Sequence, residues 1–429
     1  MLKKIKNIIS KTDRFLFQKF GSDKSLKFLE NIKEAQIIFS YLNEIGKDSV
    51  VRFVGGCVRK ALSGEIIDDI DLATSLTPDQ VKKKLSIKNV KVIDTGISHG
   101  TVTAFINKKK FEITSLRKDI STDGRHASVE YTLDWTQDSA RRDFTINAIY
   151  ADIEGRIFDP NNGVSDLKNG YIKFIGAPKE RIQEDYLRIL RYFRFFNQYS
   201  KTAFDQDIIK SIKQNINGLN KISNERIFDE LKKILKFKNA YKLFEDENSK
   251  DIILNIFPQF KFSERLKIFA KLDDKLKNFY DYQLILALLI VDNTDNHEFF
   301  CYKYKVSNQI KNRLKNISTN FSNFKNKKFY SEQNLKKLIY FNDKNFVNDV
   351  LLFSKCLNNT AKNLDINNLL GFVKSCKIPK FPITGDYLKS KGYMSGQKLG
   401  TKLKSLEEKW VENNFVLDKK LEKSLETNN

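Results

Sequence analysis

The sequence predicts an α+β fold, a mixed sheet with helices in the amino-terminal part followed by an all-helical remainder. Three observations predict it. Short β-type runs, "SVVRFVGG", "VKVIDTG", "GTVTAFI" and "KKFEITSLR", alternate with turn and helical segments up to about residue 175. Beyond that point "EDYLRILRYFRFF", "SNERIFDELKKIL", "YDYQLILALLIV" and "KNFVNDVLLFSKCL" place apolar residues three and four apart, the pattern of one-sided helices. The length, 429 residues, suits several domains with ample buried core rather than one.

The elements follow in order. Residues 1–45 begin "MLKKIKNIISKTDRFLFQKF", basic and amphipathic, and read as a helical extension. Without a long uncharged core or a small-residue cleavage site this stretch does not read as a signal peptide. Residues 46–176 carry the β-type runs. Residues 177–245 hold the first strongly amphipathic helices, and residues 246–429 continue as helices with few glycines or prolines. No fixed-period repeat is evident, and no apolar run approaches the ~18 residues of a membrane span.

Composition narrows the function. Lysine and arginine number 76 against 53 acidic residues, a formal net charge of +23. Such an excess is the footprint of a protein that neutralises phosphates, although a bias toward Lys, Asn and Ile contributes as well. Cys57, Cys301, Cys356 and Cys376 show no C-x-x-C spacing and only three histidines are present, which argues against a zinc site or a disulfide framework. A reducing cytoplasm fits best.

The densest chemistry lies in "VGGCVRKALSGEIIDDIDLATS", Val54 to Ser75. Alternate side chains of a strand share a face, so Asp69 and Asp71 point one way while Ile70 and Leu72 face the core. Two carboxylates on one face make a hard oxygen site for Mg²⁺, which completes its shell with water and substrate phosphates. Gly55 and Gly56 let backbone N–H groups approach a triphosphate, and Arg59 supplies positive charge to it. An isolated D-x-D or G-G is usually an ordinary turn. Asp69 follows Gly56 at an offset of thirteen residues, and the combination after a β-type run is far less accidental than either part.

G-G-x-V-R followed by D-x-D resembles the head domain of the class II tRNA nucleotidyltransferases and bacterial poly(A) polymerases, within the polymerase β superfamily. Further matches follow in the family's order: "RRDFTINAIY", "FDPNNGVSDL", "RIQEDYLRILRYFRF" and "ISNERIFDEL". "GDYLKSKGYMSGQKLGTKLKSLEEKW" resembles the family's tail segment more loosely. The resemblance implies a polymerase β-like head at 46–176, a helical neck at 177–245 and a tRNA-binding body and tail at 246–429. It implies that Asp69 and Asp71 hold two metal ions, one activating the RNA 3′-hydroxyl and one gripping the triphosphate. The hydroxyl then attacks the α-phosphate in line and pyrophosphate leaves.

The resemblance also implies a third acid from a neighbouring strand. Glu112 in "KKFEITSLR" is placed for it by alternation with Phe111 and Ile113, as it would be for plain solvation. Asp185 and Arg188, three residues apart on a helix, can address one edge of a base. A carboxylate accepts from the exocyclic amino group of cytosine or adenine while a guanidinium donates to the adjacent ring nitrogen. The family is understood to use this pair to choose CTP and ATP; an exposed ion pair is the bland alternative. Arg191 and Arg194 rotate away from Asp185, since three-residue steps fall short of a full turn. Family correspondence places both, with Arg142, among the nucleotide-binding positions, and leaves Asp143 and Asn147 to fix the motif.

"RKDISTDGRHASVEYTLDW", Arg117 to Trp135, reads as a polar mobile loop around Asp123-Gly124, the segment that in the family helps the change from C to A addition. His99 and His126 read as structural or RNA-facing. In the helical half, "CYKYKVSNQIKNRLKN" and "FSNFKNKKFYSEQNLKK" combine lysines for RNA phosphates with aromatics that are mostly core. The expected activity is CMP and AMP addition to the tRNA 3′ end from CTP and ATP, with no membrane and no stable protein partner. A poly(A) polymerase and a CC-only or A-only enzyme share nearly every motif. Lys60 is a departure, because the family commonly has an acidic residue after the arginine.

Overall fold

Runs of β-branched and aromatic residues build a seven-stranded sheet in the computed structural model. The strands are β1 (Val51–Val54), β2 (Ile70–Thr74), β3 (Lys91–Gly96), β4 (Thr101–Ile106), β5 (Lys109–Ser115), β8 (Tyr150–Ala151) and β9 (Ile157–Phe158). Their order is β3-β4-β5-β2-β1-β8-β9. Neighbours run antiparallel except β2 and β5, which are parallel. The sheet is therefore mixed, as the sequence predicts. β6 (Arg117–Thr122) and β7 (Ala127–Tyr131) form a separate antiparallel ribbon.

The structure describes residues 29, 31–43, 50–87, 90–96, 99–122, 127–273, 276, 279–357, 364–419 and 421, with the backbone alone for 119–122, 127 and 128. Most of the amino-terminal extension, and Asp123, Gly124 and His126, lie outside these residues. Of the segment expected to be a loop, 117–122 and 127–131 form a two-stranded ribbon. Alternating residues flanking an Asp-Gly pair are a hairpin signal, and that signal outweighs the polarity of the segment.

One face of the sheet is covered by α1 (Lys33–Leu42), α2 (Gly56–Leu62) and α3 (Pro78–Ser86). Ala35, Ile38, Phe39 and Leu42 of α1 join Val58, Ala61, Val81 and Leu85 in one core with Phe53, Leu72, Phe111 and Ile113 of the strands. α3 starts cleanly because Thr77 and Gln80 cap each other reciprocally and Pro78 takes the first turn. The other face packs Val54, Ala73 and Tyr150 on Trp135 and Phe158. Arg52 of β1 is buried there, its guanidinium 4.1 Å from the Trp135 ring centroid.

Helices α4 (Trp135–Ala140), α5 (Gly163–Asn169), α6 (Pro178–Glu184), α7 (Arg188–Tyr199), α8 (Gln206–Asn215) and α9 (Asn224–Leu235) follow. Phe144 ties the "RRDF" segment to α7 by an edge-on contact with Phe195, centroids 5.3 Å apart, and packs on Phe174 at 4.6 Å. The "FDPNNGVSDL" motif is structural. Asp159 accepts from the N–H groups of Gly163 and Val164, both at 2.8 Å, and a Cβ on Gly163 would collide with the Thr145 carbonyl. These elements belong to one compact unit, residues 1–237 with 246–252; residues 238–245 and 253–429 form a second.

The second unit is helical. Its helix Tyr282–Ile290 is apolar all round, with Leu284 to Ile290 wholly buried. Arg265 closes the carboxyl end of that helix by donating to the carbonyls of Val291 at 2.6 Å and Leu288 at 3.2 Å. Burial pulls its pKa down to about 10. Tyr304, Phe324, Phe329 and Tyr330 are core, as helical spacing predicts, while Tyr302 is 84% exposed. Among the described residues no helix is long and apolar enough to cross a membrane.

Candidate active site

The site assembles at the point where β2 and β5 run parallel. Asp71 pairs in register with Glu112, so period-two alternation sets both side chains on one face. Phe111 and Ile113 turn into the core on either side of Glu112. Asp69 stands just before β2 and is exposed; Asp71 is half-buried. Burial and then the charge of Glu112 raise the Asp71 pKa, Asp69 adds to the rise, and Arg142 and Lys110 oppose it. Glu112 and Asp69 are thus each close enough to Asp71 to repel its charge.

The donor set fits a hard divalent cation. Asp69 and Asp71 offer oxygens alone, and the raised Asp71 pKa marks negative charge that a cation would relieve. Glu112 does not complete a three-carboxylate group. Its side chain pairs with Lys110, and among the described residues no set of three or more His, Cys, Asp or Glu could hold a metal ion. Two carboxylates plus substrate phosphates are what Mg²⁺ ordinarily takes.

The glycine pair borders this acid face. Gly55 holds a left-handed φ of 67° at the start of α2, a conformation that a Cβ would strain. A Cβ on Gly56 would lie 4.0 Å from Asp71 Oδ2, and one on Gly55 would lie 3.6 Å from Arg142 Nη1. Arg142 therefore brings positive charge to the glycine turn. It is fixed from behind: its Nε donates to the Tyr150 hydroxyl at 3.0 Å and its Nη2 to Asp138 Oδ2 at 3.1 Å.

Arg59 does not play the open phosphate-binding part expected of it. It is 6% exposed, donates to Asn147 Oδ1, and lies over the rings of Phe195 and Tyr199 at 4.8 and 5.2 Å. The reason is packing: the apolar face of α7 closes over the arginine. Asn147 in turn donates to Asp143 at 2.9 Å, and Asp143 accepts from Arg191 Nε at 2.7 Å. A buried polar chain, Arg59–Asn147–Asp143–Arg191, thus joins α2 to α7. The Arg191 charge and its hydrogen bonds hold the Asp143 carboxyl below the usual carboxylate range against the effect of burial. Lys60 takes no part in this chain; it pairs with Asp68.

Asp185 and Arg188 are not neighbours on a continuous helix. α6 ends at Glu184, Asp185 adopts extended backbone (φ −151°, ψ 103°), and α7 begins at Arg188. Asp185 Oδ1 accepts from the Leu187 N–H at 3.2 Å, a side-chain bond that competes with helical pairing. Its Oδ2 accepts from Arg226 Nη2 at 3.0 Å, while Arg188 Nη1 donates to Glu184 Oε2 at 2.6 Å. Tyr186, between them, packs where any Cβ on Gly218 would collide with its ring. Arg194 pairs with buried Glu230 and lies 4.0 Å over the Phe195 ring. Arg191 and Arg194 therefore anchor α7 through Asp143 and Glu230.

Sequence reasoning missed Asp138, Tyr150, Arg181, Glu184, Arg226 and Glu230 as supports. Arg181 holds the "RRDF" backbone by donating to the carbonyls of Arg141 at 2.6 Å and Arg142 at 2.7 Å. Arg226 and Glu230 both stand in the quoted "ISNERIFDEL", so the motif itself carried the signal.

Residues 51–173 match the family described as the poly A polymerase head domain, and residues 203–263 match the probable RNA and SrmB-binding site of polymerase A. The mitochondrial CCA tRNA nucleotidyltransferase 1 of Homo sapiens is 33% identical over 406 residues, covering 91% of this chain and 88% of that protein. The chain belongs to the CCA tRNA nucleotidyltransferase family. The CCA-adding enzyme of Staphylococcus epidermidis is 32% identical over 377 residues, 85% of this chain and 90% of the other. The Bacillus stearothermophilus CCA-adding enzyme in complex with CTP shares the fold, with a TM-score of 0.69 at 23% identity over 91% of this chain and 94% of that one. The Thermotoga maritima CCA-adding enzyme complexed with tRNA gives 0.62 at 20% identity over 94% and 96%. As a family member the chain is a nucleotidyltransferase.

The support behind Arg142 has a pH signature. Burial would raise the Asp138 pKa, yet Arg142, Arg141 and the Tyr150 hydroxyl hold it at about 2, below the ordinary value of 3.8. A carboxyl depressed on folding stabilises the native state above the unfolded pKa and loses that contribution as pH falls toward the folded one. Asp138 thus contributes about 2 kcal/mol near neutrality, and the contribution fades between about pH 4 and pH 2. In urea unfolding, Asp138→Asn is expected to cost about 2 kcal/mol at pH 6 and roughly half as much at pH 3. An equal cost at both would remove the ionised carboxylate from the account.

Proposed function

We propose that the chain adds CMP and AMP, from CTP and ATP, to the 3′ end of tRNA without a nucleic-acid template. The observation that supports the reading most is the placement of Asp71 beside Glu112 on parallel strands, next to Gly56 and Arg142, in a member of this family. Asp69 and Asp71 would hold Mg²⁺, which when bound activates the RNA 3′-hydroxyl and neutralises triphosphate charge. Gly55 and Gly56 admit the triphosphate close to the backbone, and Arg142 offsets its charge. The hydroxyl displaces pyrophosphate in line at the α-phosphate, so positioning and charge neutralisation do most of the catalysis.

Asp185, oriented by Arg226 and the Leu187 N–H, accepts from the exocyclic amino group shared by cytosine and adenine. Arg188, pinned by Glu184, donates to the neighbouring ring nitrogen. Residues 46–176 are read as the catalytic head, 177–245 as the neck, and the lysine-rich helices after 246 as the tRNA-binding body and tail. A reducing, cytoplasmic setting suits the buried free thiols of Cys57, Cys301 and Cys356.

The head match bears the name of poly(A) polymerase, so the rival outcome is defined. A tRNA transcript lacking its last three nucleotides is given ATP alone, CTP alone, and both. Stepwise growth that stops after three additions with both nucleotides is expected. Long tails from ATP alone would overturn the reading.

A further inference from the structure

Lys110 and Glu112 are two residues apart on β5 and share its outward face, with Phe111 buried between them. The ammonium and the carboxylate pair at a site open to solvent, the side chains being 52% and 44% exposed. The same ammonium is within electrostatic reach of Asp69 and Asp71. Glu112 is the register partner of Asp71, yet the three acids do not converge into a ligating group. Glu112 pairs instead with Lys110.

The two cations near the acids differ in freedom. Arg142 is locked by Asp138 and Tyr150. Lys110 has one exposed carboxylate partner and a flexible four-carbon stem, so its charge can leave at little cost. A movable positive charge in a cluster of carboxylates lowers their repulsion while the site is empty, and must be displaced when a divalent ion arrives.

We propose that Lys110 is a resident counter-cation of this site, a positioning residue that holds Glu112 away from Asp69 and Asp71 and competes with the entering divalent ion. The proposal rests on Asp69 and Asp71 being the metal side of the pocket. Loading then exchanges one charge for another: the ammonium swings out, Glu112 is released toward Asp71, and the acid face completes itself only when it is needed.

Binding of Mn²⁺ to the full chain, followed through the spectrum of the free ion by electron paramagnetic resonance, tests this without turnover. Lys110→Met is expected to tighten Mn²⁺ about two- to fivefold at low ionic strength, with the gain shrinking as salt is added. In Lys110→Met/Glu112→Gln the gain is expected to fall below that of Lys110→Met, because the released carboxylate supplies part of it and the departure of the competing ammonium the rest. Unchanged or weaker Mn²⁺ binding by Lys110→Met, with Asp71→Asn clearly impaired, overturns the proposal alone. Wild-type Mn²⁺ binding by Asp71→Asn overturns the metal-side reading on which it stands.

Discussion

Asp71→Asn is expected to lower nucleotide incorporation at least about a thousandfold while leaving the melting temperature unchanged or slightly raised. The size follows from the chemistry: losing several kcal/mol of charge stabilisation in the transition state, at about 1.4 kcal/mol per tenfold, reaches three powers of ten. The sign on stability follows from the environment. Burial and the charges of Glu112 and Asp69 disfavour the ionised Asp71, so a neutral isostere removes repulsion from the folded state. Single-turnover incorporation and thermal unfolding on the same preparation check both halves. A variant that is inactive because it is unfolded, or one that stays active, would contradict the assignment.

The second large effect is on choice of base. Asp185→Ala is expected to reduce the preference for CTP and ATP over UTP and GTP by about 10- to 100-fold, the range of one lost hydrogen-bonded base contact. Arg226→Ala is expected to give a smaller loss in the same direction, because Oδ2 of Asp185 loses its holder while Oδ1 keeps the Leu187 N–H. Competition among the four triphosphates, read from the nucleotide added first, measures it. A uniform fall for all four, with the ratio unchanged, would place Asp185 in triphosphate binding or folding.

The acid face was legible in the sequence because a strand's two-residue period is rigid: Asp71 between Ile70 and Leu72, and Glu112 between Phe111 and Ile113, can each face only one way, although Asp69 falls just outside β2. The glycine turn was legible for a similar reason, since Gly55 takes a φ that other residues resist. What escaped was long-range. Arg59 reads as an exposed cation, yet its partner Asn147 is 88 residues away and the rings that cover it belong to α7. The break at Asp185 escaped because no Gly or Pro marks it; one side-chain hydrogen bond to Leu187 and the pull of Arg226 end α6 instead. Lys60 reads as a weakness beside Arg59, but the arginine is held by Asn147 and two rings, while Lys60 turns to Asp68. Buried supports such as Asp138 and Glu230 are seen only once the helices that bring arginines to them are in place.

The most direct measurement of the central claim is the 3′-terminal sequence of a truncated tRNA transcript after incubation with the chain, Mg²⁺ and all four triphosphates at equal concentration. The account predicts C, C and A added in that order, then no further growth. Products ending in runs of A, in CC alone, or in mixed bases would contradict it.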